Sequence, residues 1–168
     1  MSTSRDLTQL DTHFAFGKNW AAFADKIQES EIAEAVAGLS RFFAGESLAG
    51  KRFLDIGCGS GLHSLAALRL GAAEVVAVDL DPDSVETARA VLGHHASDTS
   101  VWRVQQASVF ALDPTAMGTF DVIYSWGVLH HTGDMMRALR QAASLVKPGG
   151  LFIFALYPKT WWCPFWRV

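Results

Sequence analysis

The fold of this chain is decided by Phe53-Leu54-Asp55-Ile56-Gly57-Cys58-Gly59-Ser60-Gly61, in which an apolar run ends in a glycine-rich turn. Glycine has no Cβ, so the backbone can turn sharply there and a ligand can lie directly on it. The helix that we predict from Leu62 would present unpaired N–H groups and a partial positive charge at its start. In an open α/β sheet such a turn lies at the carboxyl ends of the strands, where ligands bind. A turn that only joins strand to helix is the competing interpretation, because a glycine triplet alone is weak evidence.

Strand-like and helical segments alternate on both sides of this turn. We predict strands over residues 52–56, 75–78, 101–105, 120–125 and 151–156, and helices over residues 14–44, 62–70, 82–93 and 134–146. Asp81-Pro82 is a helix-start signal, and Gly93 is expected to close that helix and leave His94-His95 in a polar loop. Lys147-Pro148-Gly149-Gly150 is expected to be a turn. This alternation indicates crossover connections and a parallel, doubly wound α/β sheet.

Composition narrows the class of protein. Of the 168 residues, 50% are hydrophobic and 18% are charged, which suits one domain with a sheet buried on both faces. The net charge of -3 and the scattered lysines and arginines disfavour nucleic acid as a partner. Cys58 and Cys163 form no C-x-x-C pair, so we expect no metal site and a reducing compartment. Because no signal core and no bilayer-length apolar run occurs, we expect a cytoplasmic protein without stable membrane insertion.

Two features near the glycine turn narrow the choice of ligand. Asp79 ends the second predicted strand about twenty residues further on, the position of the ribose-binding carboxylate in nucleotide folds. A dinucleotide loop requires Gly-x-Gly-x-x-Gly, but counting from Gly57 places Leu62 at the last position. The observed spacing is Gly-x-Gly-x-Gly, with Asp55 two residues before the first glycine. A nicotinamide-dependent oxidoreductase is therefore disfavoured.

Four segments together resemble the motifs of class I S-adenosylmethionine-dependent methyltransferases. Residues 53–61 resemble the first motif, and Val76-Ala77-Val78-Asp79-Leu80-Asp81 resembles the second-strand motif. Phe120-Asp121-Val122-Ile123-Tyr124-Ser125-Trp126-Gly127-Val128-Leu129-His130-His131 resembles the fourth-strand motif, and Leu145-Val146-Lys147-Pro148-Gly149-Gly150 is similar to the turn before the fifth strand. The resemblance covers residues 50–157 and is strongest to the group of ubiquinone-biosynthesis-like small-molecule methyltransferases. It implies a Rossmann-like, doubly wound, mostly parallel sheet of order 3-2-1-4-5.

The resemblance also implies how S-adenosyl-L-methionine would bind, with S-adenosyl-L-homocysteine as the product. The loop backbone would meet the methionine part, and Asp79 would accept both ribose hydroxyls. At the position of Ser108, beside the adenine edge, many relatives have an acidic residue. Recognition of the adenine amino group by Ser108 is therefore less strongly expected. The implied cofactor-binding residues are Asp55, Gly57, Cys58, Gly59, Gly61, Asp79, Leu80, Ser108, Val109, Ser125 and Trp126. Ser125 and Trp126 would end the fourth strand beside the sulfonium.

Two adjacent histidines are candidate catalytic residues. An O–H or N–H methyl acceptor must lose a proton, and His130 and His131 follow the fourth strand with ordinary pKa values near neutrality. The competing interpretation is that they hold the turn by hydrogen bonds, which applies more strongly to His131. The favoured function is methyl transfer to a small-molecule acceptor. The alternative is a domain that binds the cofactor but is catalytically incomplete.

The chain is expected to have three regions. Residues 1–45 form an N-terminal helical lid or cap, whose aromatic stretch 13–20 either shields the sulfonium or packs in the core. Residues 46–157 form the cofactor-binding domain. Residues 158–168 carry four large aromatic side chains and are expected to begin a C-terminal part that is missing, because the family fold has two further strands. A homodimer through this aromatic surface and contact with a membrane interface are the alternatives.

Overall fold

A five-stranded parallel sheet lies at the centre of the structure, a computed structural model that describes residues 27–43 and 47–157. The strands are β1 (Arg52–Ile56), β2 (Glu74–Asp79), β3 (Trp102–Gln106), β4 (Phe120–Trp126) and β5 (Val146–Ala155). They pair in the order β3-β2-β1-β4-β5, and every pairing is parallel. The predicted α/β class and strand order are therefore confirmed. The chain order reverses between β1 and β4, the kind of position where α/β sheets open a ligand crevice.

Helices cover both faces of this sheet. They are α1 (Glu29–Ser40), α2 (Leu62–Arg69), α3 (Pro82–His95), α4 (Pro114–Met117) and α5 (Met135–Ala143), with 3-10 turns at Arg41–Phe43, Val109–Ala111 and Leu129–His131. Successive residues of a strand face opposite sides. Phe53 accordingly lies in a core cluster with residues of α1 and α2, whereas Leu54 lies in a cluster with residues of α5. Both faces of β1 are thus buried, which is why Phe53, Leu54 and Ile56 do not alternate with exposed polar residues.

Residues 147–150 are the main correction to the predicted elements. They lie inside β5, where the register passes from Phe120 opposite Val146 to Val122 opposite Leu151. Four residues of β5 therefore bulge against one residue of β4. Gly149 has a φ of 77°, and a Cβ on Gly150 would lie 2.8 Å from the Asp121 carbonyl oxygen. The prediction of a free turn was wrong, because these glycines let the backbone bulge while strand pairing continues.

Helix boundaries differ from the prediction in α1, α3 and α5, of which α5 ends at Ala143 and not at residue 146. Helix α3 runs through Gly93 and ends at His95, so His94 and His95 belong to its last turn and not to a loop. Glycine weakens a helix by about 1 kcal/mol but ends it only where the backbone turns left-handed, and Gly93 has no positive φ. Helix α1 begins at Glu29, because extended Gln28 forms a capping box in which its N–H donates to Glu31 Oε2 at 2.9 Å.

Three expectations concern parts of the chain outside this description. The helical stretch predicted for residues 14–26, the aromatic stretch 13–20 and the aromatic tail 158–168 lie outside the described residues.

Across residues 27–43 and 47–157, no helix has the length and apolar character needed to cross a membrane. Helix α4 is an element that the sequence reasoning missed, although Asp113-Pro114 repeats the start signal of Asp81-Pro82.

Candidate active site

The glycine loop between β1 and α2 has a left-handed backbone at three positions. Gly57, Gly59 and Gly61 have φ values of 76°, 53° and 77°. A Cβ on Gly57 would lie 2.4 Å from a Val128 methyl carbon, so this glycine lets the β4 loop pack against the turn. A Cβ on Gly61 would lie 3.0 Å from Ala88 Cβ, so that glycine lets α2 approach α3. The glycines of this loop therefore allow close packing of neighbouring elements, in addition to any role in ligand binding.

Asp79 joins the end of β2 to this loop. Its Oδ2 accepts a hydrogen bond from the Gly59 N–H at 2.9 Å, and its Oδ1 accepts one from the Asp81 N–H at 3.0 Å. An ionised carboxylate is an acceptor only, with two oxygens that can each receive more than one hydrogen bond. Asp79 is partly exposed. The carboxylate that the sequence identified as ribose-binding thus lies directly beside the glycine loop.

Asp55 lies beneath the loop. It is only 2% exposed, and its Oδ2 accepts a hydrogen bond from the Ser64 hydroxyl at 2.7 Å. Burial raises its pKa from 3.8 to about 7, with a further upward contribution from the charge of Asp79 and an opposing one from the Ser64 hydrogen bond. Asp55 can therefore act on a ligand only through the loop or by its charge. The sequence reasoning missed Ser64, a serine in the first turn of α2.

Cys58 is buried in the same loop. Its backbone N–H donates to the Val78 carbonyl at 3.1 Å, and its side chain packs in a cluster that includes Ile27 and Ile32. Burial raises the pKa of the thiol, so it stays protonated at neutral pH. Among the described residues, no group of three or more histidine, cysteine or acidic side chains could hold a metal ion.

The residues expected at the adenine lie beyond the ends of β2 and β3. The Leu80 carbonyl accepts a hydrogen bond from the Gln106 side-chain amide at 3.1 Å. The Ser108 hydroxyl oxygen accepts one from the Phe110 N–H at 3.3 Å and caps the next 3-10 turn, and Val109 is buried in the core below. These residues and Asp79 follow neighbouring parallel strands, so they share one edge of the sheet.

The end of β4 carries an aromatic surface. Trp126 is 46% exposed, stacks on Tyr124 at 5.9 Å between ring centroids and contacts Phe42 at 5.9 Å. The His63 ring lies 4.9 Å from Tyr124, and burial lowers the pKa of His63. Ser125 differs from its neighbour, because its hydroxyl is fully buried and donates to the Ile56 carbonyl at 2.9 Å. The sequence reasoning missed Tyr124 and Phe42; strand alternation, which puts residues 124 and 126 on one face, was the available signal for Tyr124.

His130 and His131 lie in the 3-10 turn that follows β4. Both ring nitrogens of His130 are buried without a hydrogen-bond partner among the described residues. Burial lowers the pKa of His130, and the neighbouring charge of His131 lowers it further. His131 is exposed, with its ring centroid 3.9 Å from that of His130. Among the described residues, His130 is thus an imidazole that favours its neutral form and has no hydrogen-bond partner, whereas His131 is exposed.

This carboxyl edge brings together the glycine loop, Asp79, Trp126 and His130. Asp55, Cys58 and the Ser125 hydroxyl lie buried below it and make contacts within the protein. The donor set suits a cofactor that carries a ribose diol and a cation, because it offers an acceptor carboxylate beside the glycine loop and an exposed aromatic ring.

The chain has relatives of known sequence and structure. Residues 54–154 match the family model described as a methyltransferase domain. Over 156 residues the chain is 36% identical to the ubiquinone biosynthesis O-methyltransferase of Xanthomonas campestris pv. campestris, which covers 91% of this chain. The chain spans 62% of the length of that curated relative.

Solved structures share the fold. An S-adenosylmethionine-dependent methyltransferase from Mesorhizobium loti is 31% identical with a TM-score of 0.55, over 65% of this chain and 48% of that one. A structure from Methanococcus maripaludis has a TM-score of 0.68 over 93% of this chain and 67% of its own, but at 19% identity that likeness shows the fold alone. With its matched family model, sheet order and four motifs, the chain belongs to the methyltransferase domain family, in the class I S-adenosylmethionine-dependent group.

Proposed function

We propose that this chain carries the cofactor site of an S-adenosylmethionine-dependent methyltransferase that acts on a small-molecule acceptor. The observation that carries the proposal is the hydrogen bond from the Gly59 N–H to Asp79 Oδ2 at 2.9 Å. It holds an acceptor carboxylate against a glycine loop at the switch point of the sheet. The family match over residues 54–154 supports the same cofactor.

The loop backbone of residues 57–61 would hold the methionine part of the cofactor, and Asp79 would accept the ribose hydroxyls. Leu80 would flank the adenine, with Ser108 and Val109 at its edge. Asp55 would act indirectly, since its carboxyl group is buried and bonded to Ser64. Ser125 would act indirectly too, because its hydroxyl donates to the Ile56 carbonyl.

The bound cofactor supplies a methyl group on a positively charged sulfur, so the protein has to position the acceptor, exclude water and remove a proton. Trp126 offers an exposed ring face that would attract the sulfonium. We assign proton removal to His130, because its imidazole is neutral and its nitrogens have no hydrogen-bond partner among the described residues. His131 is the weaker candidate, since it is exposed and lowers the pKa of His130 by its charge.

The regions named from the sequence belong to the same proposal. Residues 1–45 would cap the cofactor, and the contact of Phe42 with Trp126 at 5.9 Å supports a place for this region beside the cleft. Residues 46–157 would form the cofactor domain, and the aromatic residues 158–168 would offer a homodimer surface. A cytoplasmic location and an acceptor that is not nucleic acid complete the proposal.

Calorimetry separates this proposal from a nicotinamide enzyme. The chain should bind S-adenosylhomocysteine with micromolar affinity and show no binding of NAD under the same conditions. Binding of NAD in preference to S-adenosylhomocysteine would overturn the proposal. Transfer of a labelled methyl group from S-adenosylmethionine to metabolites of a cell extract then tests turnover. Binding without any labelled product would point to the alternative, a domain that holds the cofactor and lacks activity.

A further inference from the structure

Tyr157 lies across the end of β4. The Gly127 N–H donates to the Ala155 carbonyl at 3.1 Å, which ties the ends of β4 and β5 together. A Cβ on Gly127 would lie 3.0 Å from the Tyr157 hydroxyl oxygen and 3.1 Å from its Cε2. The phenol therefore rests on the bare backbone of Gly127, whose φ is 74°. Any other residue at position 127 would strain the backbone and push the phenol away.

The same phenol ring contacts His130. The two ring centroids are 5.1 Å apart at an interplanar angle of 78°, an edge-to-face arrangement that aromatic rings prefer. The His131 ring also contacts His130, with 3.9 Å between the ring centroids. Tyr157 is 62% exposed, so burial of its own surface does not explain where its ring lies. Its contacts instead cover Gly127 and the imidazole of His130.

This arrangement affects the proton affinity of His130. Removal of water around an imidazole favours its neutral form. The titratable groups that the structure places against the His130 ring are His131, from the same turn, and Tyr157, from the end of β5. Burial and the charge of His131 are the causes that lower the pKa of His130. The Tyr157 ring lies 5.1 Å from the His130 ring between centroids, close enough to exclude water from part of the imidazole.

We propose that Tyr157 is a positioning residue for His130, holding the imidazole in one orientation and shielding it from water so that it can accept the acceptor's proton. The proposal rests on the proposed function, because it gives His130 the role of proton acceptor. The O–H or N–H bond of the acceptor breaks, its electron pair forms the bond to the methyl carbon, and the proton passes to the His130 nitrogen. The C–S bond electrons return to sulfur, so charge and atoms balance.

The first test measures the pKa of His130 without any turnover. NMR titration of the histidine-labelled full chain, with H130Q to identify the resonance, is run on the wild type, Y157F and Y157A. The wild type and Y157F should titrate together, because phenylalanine keeps the ring. In Y157A the midpoint should rise by roughly half a pH unit or more, since water reaches the imidazole. An unchanged midpoint in Y157A would overturn the proposal.

Two further variants sharpen this measurement. G127A should move the His130 midpoint upward as Y157A does, because the added methyl displaces the phenol. F154A is the matched control, since Phe154 is an aromatic residue near the end of β5 that is 43% exposed and contacts Phe152 instead. Its His130 midpoint should equal that of the wild type. An equal rise in F154A would show a general effect of loosening β5 and would count against a specific role of Tyr157.

The second test measures methyl transfer to catechol as a phenolic probe over a range of pH. In Y157A the acidic limb of the kcat profile should move to higher pH. At a fixed pH on that limb, a shift of half a pH unit lowers kcat roughly threefold. KM for S-adenosylmethionine should stay unchanged, and Y157F should match the wild type. Normal transfer by H130Q would overturn His130 as the base and, with it, the role of Tyr157. Loss of transfer in H130Q with no midpoint shift in Y157A would refute Tyr157 alone.

Discussion

At the scale of single residues, substitution of Asp79 is predicted to weaken cofactor binding most directly. Its two oxygens accept N–H bonds from the glycine loop and from the start of α3. In D79N one of these acceptors becomes an amide NH2, which cannot accept from a backbone N–H and weakens the acceptor for a ribose hydroxyl. We expect S-adenosylhomocysteine to bind at least about tenfold more weakly, or about 1.4 kcal/mol, as measured by calorimetry.

The control for D79N is E86Q, which also removes one carboxylate charge but lies on the exposed face of α3. Its affinity for S-adenosylhomocysteine should match that of the wild type. Equal losses in D79N and E86Q would show that the affinity depends on net charge and not on the bonds of Asp79.

Asp55 makes stability depend on pH in a direction unusual for an aspartate. Its folded-state pKa is raised to about 7, so folding favours the protonated form. That contribution is fully present below the unfolded-state pKa near 4 and is lost as pH rises through 7. D55N mimics the protonated form. The unfolding free energy of D55N minus that of the wild type should therefore increase between pH 5 and pH 8, by on the order of 2 kcal/mol.

Urea unfolding of both proteins at pH 5 and pH 8 measures this difference. The amide oxygen that D55N introduces can still accept the Ser64 hydroxyl, so the variant should fold at both pH values. A D55N protein whose stability relative to the wild type is the same at pH 5 and pH 8 would contradict a raised pKa for Asp55.

At the scale of elements, the amino ends of the strands are joined by an ionic network around Arg52. Its Nε donates to Glu74 Oε2 at 2.5 Å, Glu74 also pairs with Arg103, and the Arg52 Nη1 donates to the Thr119 carbonyl at 2.6 Å. The guanidinium lies 4.4 Å from the centre of the Phe120 ring. One side chain therefore links β1 with β2 and with the segment that leads into β4.

R52A should lower the free energy of unfolding by about 1–2 kcal/mol, since several bonds to a partly exposed guanidinium are lost together. S-adenosylhomocysteine affinity should not change, because the network lies at the opposite edge of the sheet from the glycine loop. Urea unfolding and calorimetry measure the two quantities, with R41A on an exposed turn as control. A parallel loss of cofactor affinity in R52A would contradict this separation of the two edges.

The predicted elements agree with the structure best where both faces of a strand are buried. β1 was predicted at its observed bounds, because Arg52–Ile56 is a short, mostly apolar segment closed by glycine. The predictions failed where backbone contacts decide the boundary. The bulge at residues 147–150 depends on the pairing of β5 with β4, and helix α3 continues through Gly93 because the chain stays right-handed there.

At the scale of the whole molecule, the N-terminal region is the part whose role a deletion can test. If residues 1–20 cap the cleft, their removal should weaken S-adenosylmethionine binding by roughly tenfold, because an aromatic cover excludes water and attracts a cation. Neutral S-adenosylhomocysteine should lose less affinity than cationic S-adenosylmethionine. Calorimetry with both ligands measures this, and unchanged affinity for S-adenosylmethionine would refute the lid.

The sequence by itself determined the fold class, the strand order through its motifs, and the edge of the sheet where Asp79, Trp126 and the histidines lie. The fold class follows from local patterns, since apolar runs, glycine turns and crossover rules need no knowledge of distant neighbours. The strand order was implied by the resemblance of four motifs to the methyltransferase family. Only the tertiary structure decided which of these residues are accessible. Asp55 and the Ser125 hydroxyl proved to be buried and bonded within the protein, while Tyr157 proved to lie against His130. Burial and ring contacts depend on residues far apart in the chain, so no local pattern contains them.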